Sequence, residues 1–376
     1  MFSKAEKDSR HRAIGHFLDA QNLKALLLIG GTSPGWGFCG HFRYYTNNRV
    51  IFSRQVVVVF ADSESVLFAE SEFQRQAALK RSFVSDCRLS NNFVADVAYL
   101  LKERGVFEGR VGVNFEILPS AWQMYLTQEL PQIELVETHE HILKIRFERS
   151  REEMDNYRKG AALGDGGFGA ALKVIRPGVS EYEIIAAIEN YARARGGEEH
   201  FTLIGSGKFS FGDNNSTLIM ASPSHRRIER GDSITMEITP RYDGYWTQLV
   251  RTVNVGKDNA DLLKIHNVCR NAIIKGLEQF KAGKMVKDVV SVMESYVDSC
   301  GYVLKPPIGH ICGVDLIEAR VSGENETILK PGTAVIIHPT VFTPDGTTSF
   351  FCGETYLVTE EGYERLHRTG DELITV

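Results

Sequence analysis

Cysteine is scarce in this chain. Six are spread over 376 residues, at positions 39, 87, 269, 300, 312 and 352, and no two are spaced CxxC. That spacing excludes zinc-finger and thioredoxin-type centres and leaves reduced thiols in a cytoplasmic protein as the expectation. No apolar run approaches the ~20 residues of a membrane span. Basic runs and aromatic–basic interleaving are missing and the formal net charge is −5, so neither a membrane nor nucleic acid is an expected partner. The opening MFSKAEKDSRHR is polar and does not read as a secretion signal. What is present is ordinary for a globular protein: 43% hydrophobic and 24% charged residues. The length is enough for two domains with buried cores.

Strand and helix signals alternate over the first part of the chain. LKALLLIGG, QVVVVFADSESVLFAES and RVGVNF are rich in branched apolar residues and read as buried strands. Residues 72–80 and 91–104 read as helices between them. The pattern predicts an α/β domain with a mixed sheet. The charged stretch KIRFERSREEMDNYRK follows, and the boundary is placed near Lys144–Arg149. Beyond it, PGVSEYEIIAAIENYARARGG predicts a helix. Ser180 and Glu183 form a capping box, Ile184, Ile185, Ile188 and Tyr191 make one apolar face, and Gly196 and Gly197 end it. The frame recurs 105 residues later, where Gly178, Glu189, Tyr191 and Gly196 become Gly283, Glu294, Tyr296 and Gly301. Two related halves, with a site in the cleft between them, are expected.

Between Gly231 and Thr252 the chain reads GDSITMEITPRYDGYWTQLVRT. This stretch resembles the paired strands that carry two metal-binding aspartates in the pita-bread family, which includes methionine aminopeptidase, aminopeptidase P, prolidase and creatinase. The resemblance covers essentially the whole chain. It implies an N-terminal α/β domain over residues 1–145, like that of creatinase, and an α+β pita-bread domain with an internal pseudo-two-fold repeat over 146–376. Metal-binding members use five ligands: two Asp, one His and two Glu. Here Glu237 takes the first aspartate position and Gln248, eleven residues on, the second. PIGHICG resembles the histidine segment and gives His310. LKPGTAVIIHPTVF resembles the segment that ends in a glutamate before proline, and gives His338. Counting back from the ending TYLVTEEG puts Gly353 at the last position, with Glu354 adjacent; a one-residue shift would put Glu354 there instead.

A bridged pair of hard divalent ions needs several anionic oxygens, two of them bridging. Gln248 carries no charge, His338 replaces an anion with a neutral ligand, and Gly353 offers no side chain. No metal and no other cofactor is therefore expected; a single ion on His310, His338 and Glu237 is the alternative. Creatinase is the family's metal-free precedent and hydrolyses a guanidino C–N bond. Its FGR segment, which clamps a substrate carboxylate, resembles Phe52-Ser53-Arg54, and its second arginine resembles Arg320 across a one-residue gap. Two arginines on one carboxylate form a bidentate, charge-assisted anchor. The creatinase pattern breaks at Met220, Val250 and His338, where that enzyme has its catalytic histidine and two glutamates, so creatine itself is not the expected substrate.

The reading is an enzyme acting on a small carboxylate-bearing molecule. His310 and His338 serve as acid and base, and Glu237 orients a histidine or raises its pKa. Phe52, Arg54, Arg320, Gln248, Trp246 and Glu354 are the expected substrate contacts, with Tyr245 adding to an aromatic wall. C–N hydrolysis is favoured over a lyase reaction; a single-metal hydrolase or peptidase and a non-catalytic peptide-binding module are the further alternatives. Cys312 and Cys352 read as packing thiols rather than nucleophiles. His200 and His225 read as structural or exposed, and His41 as a residue able to reach a neighbouring subunit. The resemblance also implies a homodimer in which Arg54 acts within its own subunit or across to the partner's site.

Overall fold

The computed structural model of the protein describes residues 2–31, 39–61, 64–199, 201–212 and 220–376. His200 and part of the GSGKFSFGDNNS loop lie outside the described residues. The chain forms two compact units, Met1–Arg146 and Phe147–Val376.

The first unit is built on a six-stranded mixed sheet. In spatial order its strands are Asp86–Leu89, Val66–Ala69, Gln55–Val59, Leu23–Gly30, Glu108–Val113 and Gln132–Glu137. The QVVVV run is continuous rather than alternating because both faces of its strand are covered. Val56 and Val58 join one apolar cluster, and Val57 and Val59 the other. The helices expected at 72–80 and 91–104 form at Glu72–Arg81 and Phe93–Glu103.

The second unit carries a nine-stranded sheet. Its main path runs Ala319–Arg320, Gly309–Ile311, Ala334–Ile337, Gly353–Val358, Leu249–Asn254, Ser233–Thr239 and Phe201–Gly207. Long helices Arg151–Val174 and Glu181–Arg193 pack together, as do Ala260–Leu277 and Val286–Ser299. The capping box forms: the Glu183 amide donates to Ser180 Oγ (3.3 Å) and the Ser180 amide to Glu183 Oε2 (2.8 Å). Gly178 and Gly283 open the second helix of each pair at φ +92° and +84°, and Gly196 and Gly301 follow them at +86° and +77°. These left-handed conformations favour glycine, which lacks a Cβ to clash. The Gly178 amide donates to the Ile228 carbonyl, and the Gly283 amide to that of Leu329. The shared glycine frame is thus a shared backbone structure, and the two halves repeat one plan.

One sheet face is packed against helices. Met236, Ile238, Leu249 and Val253 share a cluster with Phe168, Ala171, Ile184, Ile185 and Ile188. Each buried aliphatic side chain of this kind contributes roughly 1.5–3 kcal/mol to burial. With that face committed to the core, the alternate residues of the same strands are left for the other face.

Candidate active site

Strand alternation decides which side chains meet. Glu237 stands opposite Val250, and Val250 opposite Gly353. Ile337 stands opposite both Glu354 and Gly309. With a period of two, Glu237, Val250, Gly353, His338 and His310 share the face turned away from the helices. Gln248 joins them two residues before Val250. Its backbone is held by Thr355, whose Oγ1 accepts from the Gln248 amide (2.8 Å) and lies 3.2 Å from its carbonyl oxygen.

The two imidazoles meet edge to face, with ring centroids 5.5 Å apart, and Phe351 packs edge-on against His338 at 5.9 Å. Both histidines are buried, at 8% and 5% exposure. Burial, then the neighbouring His338 and Arg320, pushes His310 down to about 3, against the pull of the Leu316 and Ile311 carbonyls. Burial pushes His338 down to about 4. Both rings are therefore neutral near pH 7. Glu237 moves the other way. Burial raises its carboxyl to about 7, opposed by a hydrogen bond from Gln248. Among the described residues, Nδ1 of His310, Nδ1 of His338 and Oε1 of Gln248 have no hydrogen-bond partner. Most buried polar groups in native structures find a partner, so these open atoms on one face mark it as a candidate site.

The loop that follows His310 is fixed by a residue far away in sequence within the same unit. Arg149 is buried against Glu318 and also donates to the Cys312 carbonyl (3.3 Å). The Glu318 amide donates to the Ile311 carbonyl (2.9 Å). The chain then returns so that Arg320 pairs with His310. Arg320 is exposed beside the buried imidazole.

Among the described residues no three His, Cys, Asp or Glu side chains converge as a metal ion requires. The donors on this face are one carboxylate, one amide and two imidazoles, with a glycine at the fifth position. In strand order the carboxylate stands on one side and the imidazoles on the other, with uncharged Gln248 and Gly353 between them. This set does not fit a bridged pair of hard ions, which depends on anionic oxygens between the metals.

Several expected contacts are corrected. Glu354 faces the helices, where Arg251 and Arg365 engage its carboxylate; Gly353 holds the fifth position. Trp246 is fully buried, with the Arg241 guanidinium 5.0 Å from its ring centroid, and so is packed core rather than an open wall. Tyr245 is buried too, and its hydroxyl donates to Glu153 Oε1 (2.8 Å). His41 is locked inside the first unit, accepting from Arg146 at Nδ1 (2.8 Å) and bonded to His139 at Nε2 (2.9 Å), which leaves it no reach to a neighbour. Phe52 stacks on Phe73 at 6.1 Å and Arg54 lies over Trp122 at 6.0 Å, both on an exposed segment of the first unit. Thr355 and Phe351 were not legible as site residues. The only signal was their position two residues from Gly353, on the same alternation.

Residues 155–360 match the model of metallopeptidase family M24, and residues 10–147 that of the creatinase/prolidase N-terminal domain. The chain belongs to metallopeptidase family M24. It is 29% identical to the Xaa-Pro dipeptidase of Pyrococcus furiosus over 62% of this chain. That match spans 66% of the dipeptidase, just under two thirds of its length. It is 28% identical to the creatinase of a Bacillus species over 92% of this chain and 85% of that one. The solved Xaa-Pro dipeptidase of Bacillus anthracis superposes with a TM-score of 0.84 at 23% identity, covering 98% of this chain and 100% of that one. The prolidase of Pyrococcus horikoshii gives 0.83 at 24%, covering 97% and 100%. The fold is thus the two-domain one of these structures: a creatinase-type N-terminal domain followed by a pita-bread domain. The named relatives in sequence are hydrolases of C–N bonds.

Proposed function

We propose that this protein is an enzyme that hydrolyses a C–N bond in a small carboxylate-bearing molecule without a bridged metal pair. The observation that carries the reading is the set of side chains on one sheet face: Glu237, Gln248, His310, His338 and Gly353 share it, and only one of them is an anion-forming group. The relatives' activities support the bond type.

The groups divide the proton work. A neutral imidazole at His310 or His338 accepts a proton from the attacking water, and its open Nδ1 is available for that hydrogen bond. Glu237 titrates near neutrality, so its protonated form is present to donate to the departing nitrogen. Gln248 holds that carboxyl in place and presents a free oxygen. Arg320, exposed beside His310, anchors the substrate carboxylate. Phe52 and Arg54, on the exposed segment of the first unit, are the further proposed substrate contacts. Lyase cleavage uses the same acid and base without water, and is the alternative. No helix among the described residues is long and apolar enough to cross a membrane, and the expected setting remains the cytoplasm.

The decisive experiment is turnover of a panel of small guanidino, amide and hydroxy acids by protein whose metal content has been measured. Activity in metal-free protein, lost in His338→Gln, supports the proposal. Activity that requires one equivalent of a single ion would make His310 and His338 ligands instead, and would overturn it.

A further inference from the structure

Two thiols lie against each other directly behind this site. Cys269, in the helix Ala260–Leu277, and Cys352, one residue before Gly353, have their sulfurs 3.5 Å apart. Both are free and buried, at 0% and 6% exposure. The Cys352 thiol points to Cys269 Sγ, and the Cys269 thiol donates to the carbonyl of Pro339 (3.2 Å). Pro339 follows His338. The pair therefore joins one helix to both segments that set the imidazole: His338–Pro339 on one side and Cys352–Gly353 on the other.

A route to the pair exists. A cavity of about 270 Å³ opens on the helix-covered side of the sheet, lined by Cys352 together with Arg251, Arg270, Leu277, Tyr356 and Asp371. It is large enough for a small oxidant, and Cys352 is the sulfur it reaches. The cysteines at 39 and 300 are more exposed.

We propose that Cys269 and Cys352 form a redox modification site, oxidised to a disulfide by a small peroxide and coupled to the position of His338. The site exists whatever the enzyme's substrate, but its effect on turnover rests on the function proposed above. The step balances. The Cys352 thiolate attacks one oxygen of hydrogen peroxide, giving a sulfenic acid and, after proton uptake, water. Cys269 then attacks the Cys352 sulfur, its proton leaving with the hydroxyl as a second water. Two electrons pass from the thiol pair to the peroxide, and one S–S bond forms as one O–O bond breaks. Burial and the adjacent Cys352 thiol hold the Cys269 thiol well above its ordinary range, so Cys269 acts as the resolving partner and not the first nucleophile.

The movement has a definite direction. A disulfide brings the sulfurs to about 2.05 Å, so they must close by more than an ångström from their present 3.5 Å. Closure removes the Cys269 hydrogen bond to Pro339. It also pulls Cys352, and with it Gly353, which lies so near the backbone of Ile337 and His338 that a Cβ there would clash with it. Oxidation therefore loosens or displaces His338 without touching it.

The test uses the whole protein treated with hydrogen peroxide, then digested without reduction. The expected result is a cross-linked peptide containing Cys269 and Cys352, about two mass units lighter than the reduced pair, lost on dithiothreitol treatment and absent in Cys352→Ser. Backbone hydrogen exchange over residues 334–342 should rise on oxidation and return on reduction, in wild type but not in a folded Cys352→Ser or Cys269→Ala variant. If positions 39 and 300 oxidise fully and no 269–352 link forms, the site is refuted. A link that leaves exchange over 334–342 unchanged refutes the coupling to His338. Neither readout needs a substrate, so both outcomes stand apart from success or failure of the hydrolase reading.

Discussion

A β-carbon on Gly353 would stand 2.6 Å from the Cα of His338 and would overlap the carbonyl oxygen of Ile337. The glycine and the histidine are one device: the strand that ends at Ile337 approaches its neighbour as closely as it does because position 353 has no side chain. Backbone atoms cannot swing aside as a flexible side chain does. Gly353→Ala should therefore cost about 1–3 kcal/mol of stability, read as a lowered thermal midpoint. Gly353→Glu should not create a metal site, since the carboxylate has no room beside His338. Tight stoichiometric binding of a divalent ion by that variant, measured by titration calorimetry, would contradict this geometry.

His338→Gln keeps a polar group of similar size but removes the imidazole. On a substrate found in the panel above, turnover should fall by about 10²-fold or more, with the midpoint of unfolding little changed. A variant within threefold of wild type would remove His338 from the mechanism.

Stability should depend on pH with two opposing slopes. The Glu237 carboxyl is raised from 4.5 to about 7 in the folded state. Its contribution is full below the unfolded value and is lost as pH rises through 7. His310 and His338 are depressed from 6.5 to about 3 and about 4. Their contribution is present above 6.5 and is lost as pH falls toward those values. Glu237→Gln should thus gain on wild type between about pH 5 and pH 8, by up to about 3 kcal/mol. Urea unfolding across that range checks it, and a difference that does not change with pH would show that Glu237 is not held in its protonated form by the fold.

Metal content decides between the main reading and its nearest rival. Protein purified without chelator or metal-affinity resin should hold less than about a tenth of an equivalent of any transition metal, and prolonged chelation should leave activity intact. Elemental mass spectrometry makes the measurement. Near one equivalent of one metal would turn the search toward single-ion hydrolysis.

Arg320 separates anchoring from chemistry. Arg320→Ala should raise KM roughly tenfold or more, with kcat changed less, and Arg320→Lys should recover part of the loss, because lysine keeps the charge but not the two-pronged geometry. An unchanged KM for carboxylate substrates in Arg320→Ala would place the anchor elsewhere.

The backbone plan was legible because it is local. The Ser180–Glu183 capping box and the glycine frames at 178–196 and 283–301 depend on residues a few positions apart. The two-domain architecture was legible because the strand and helix patterns of both domains are written along the chain. What failed is what depends on the third dimension. Gly353 and Glu354 are one residue apart, and in a strand one residue is the difference between two faces; the strand register and the ion pairs of Glu354 with Arg251 and Arg365 show which face it takes. Trp246 and Tyr245 read as a wall from their chemistry, yet their burial is set by partners such as Glu153, 92 residues away. Arg149 lay in a stretch that read as a charged boundary, but its buried partner, Glu318, is 169 residues distant. Charge in sequence says nothing about which charges will be paired inside.

The repeated halves, each announced by a left-handed glycine before its second helix, carry unequal chemistry. Glu237 and Gln248 come from the first half; His310, His338 and Gly353 come from the second. Across that boundary a carboxyl with its amide companion stands at one end and two uncharged imidazoles at the other. The scaffold is nearly symmetric and this face is not. In the proposed reaction that asymmetry gives a substrate a head and a tail, so a molecule bound in reverse would meet the wrong proton partner at both ends.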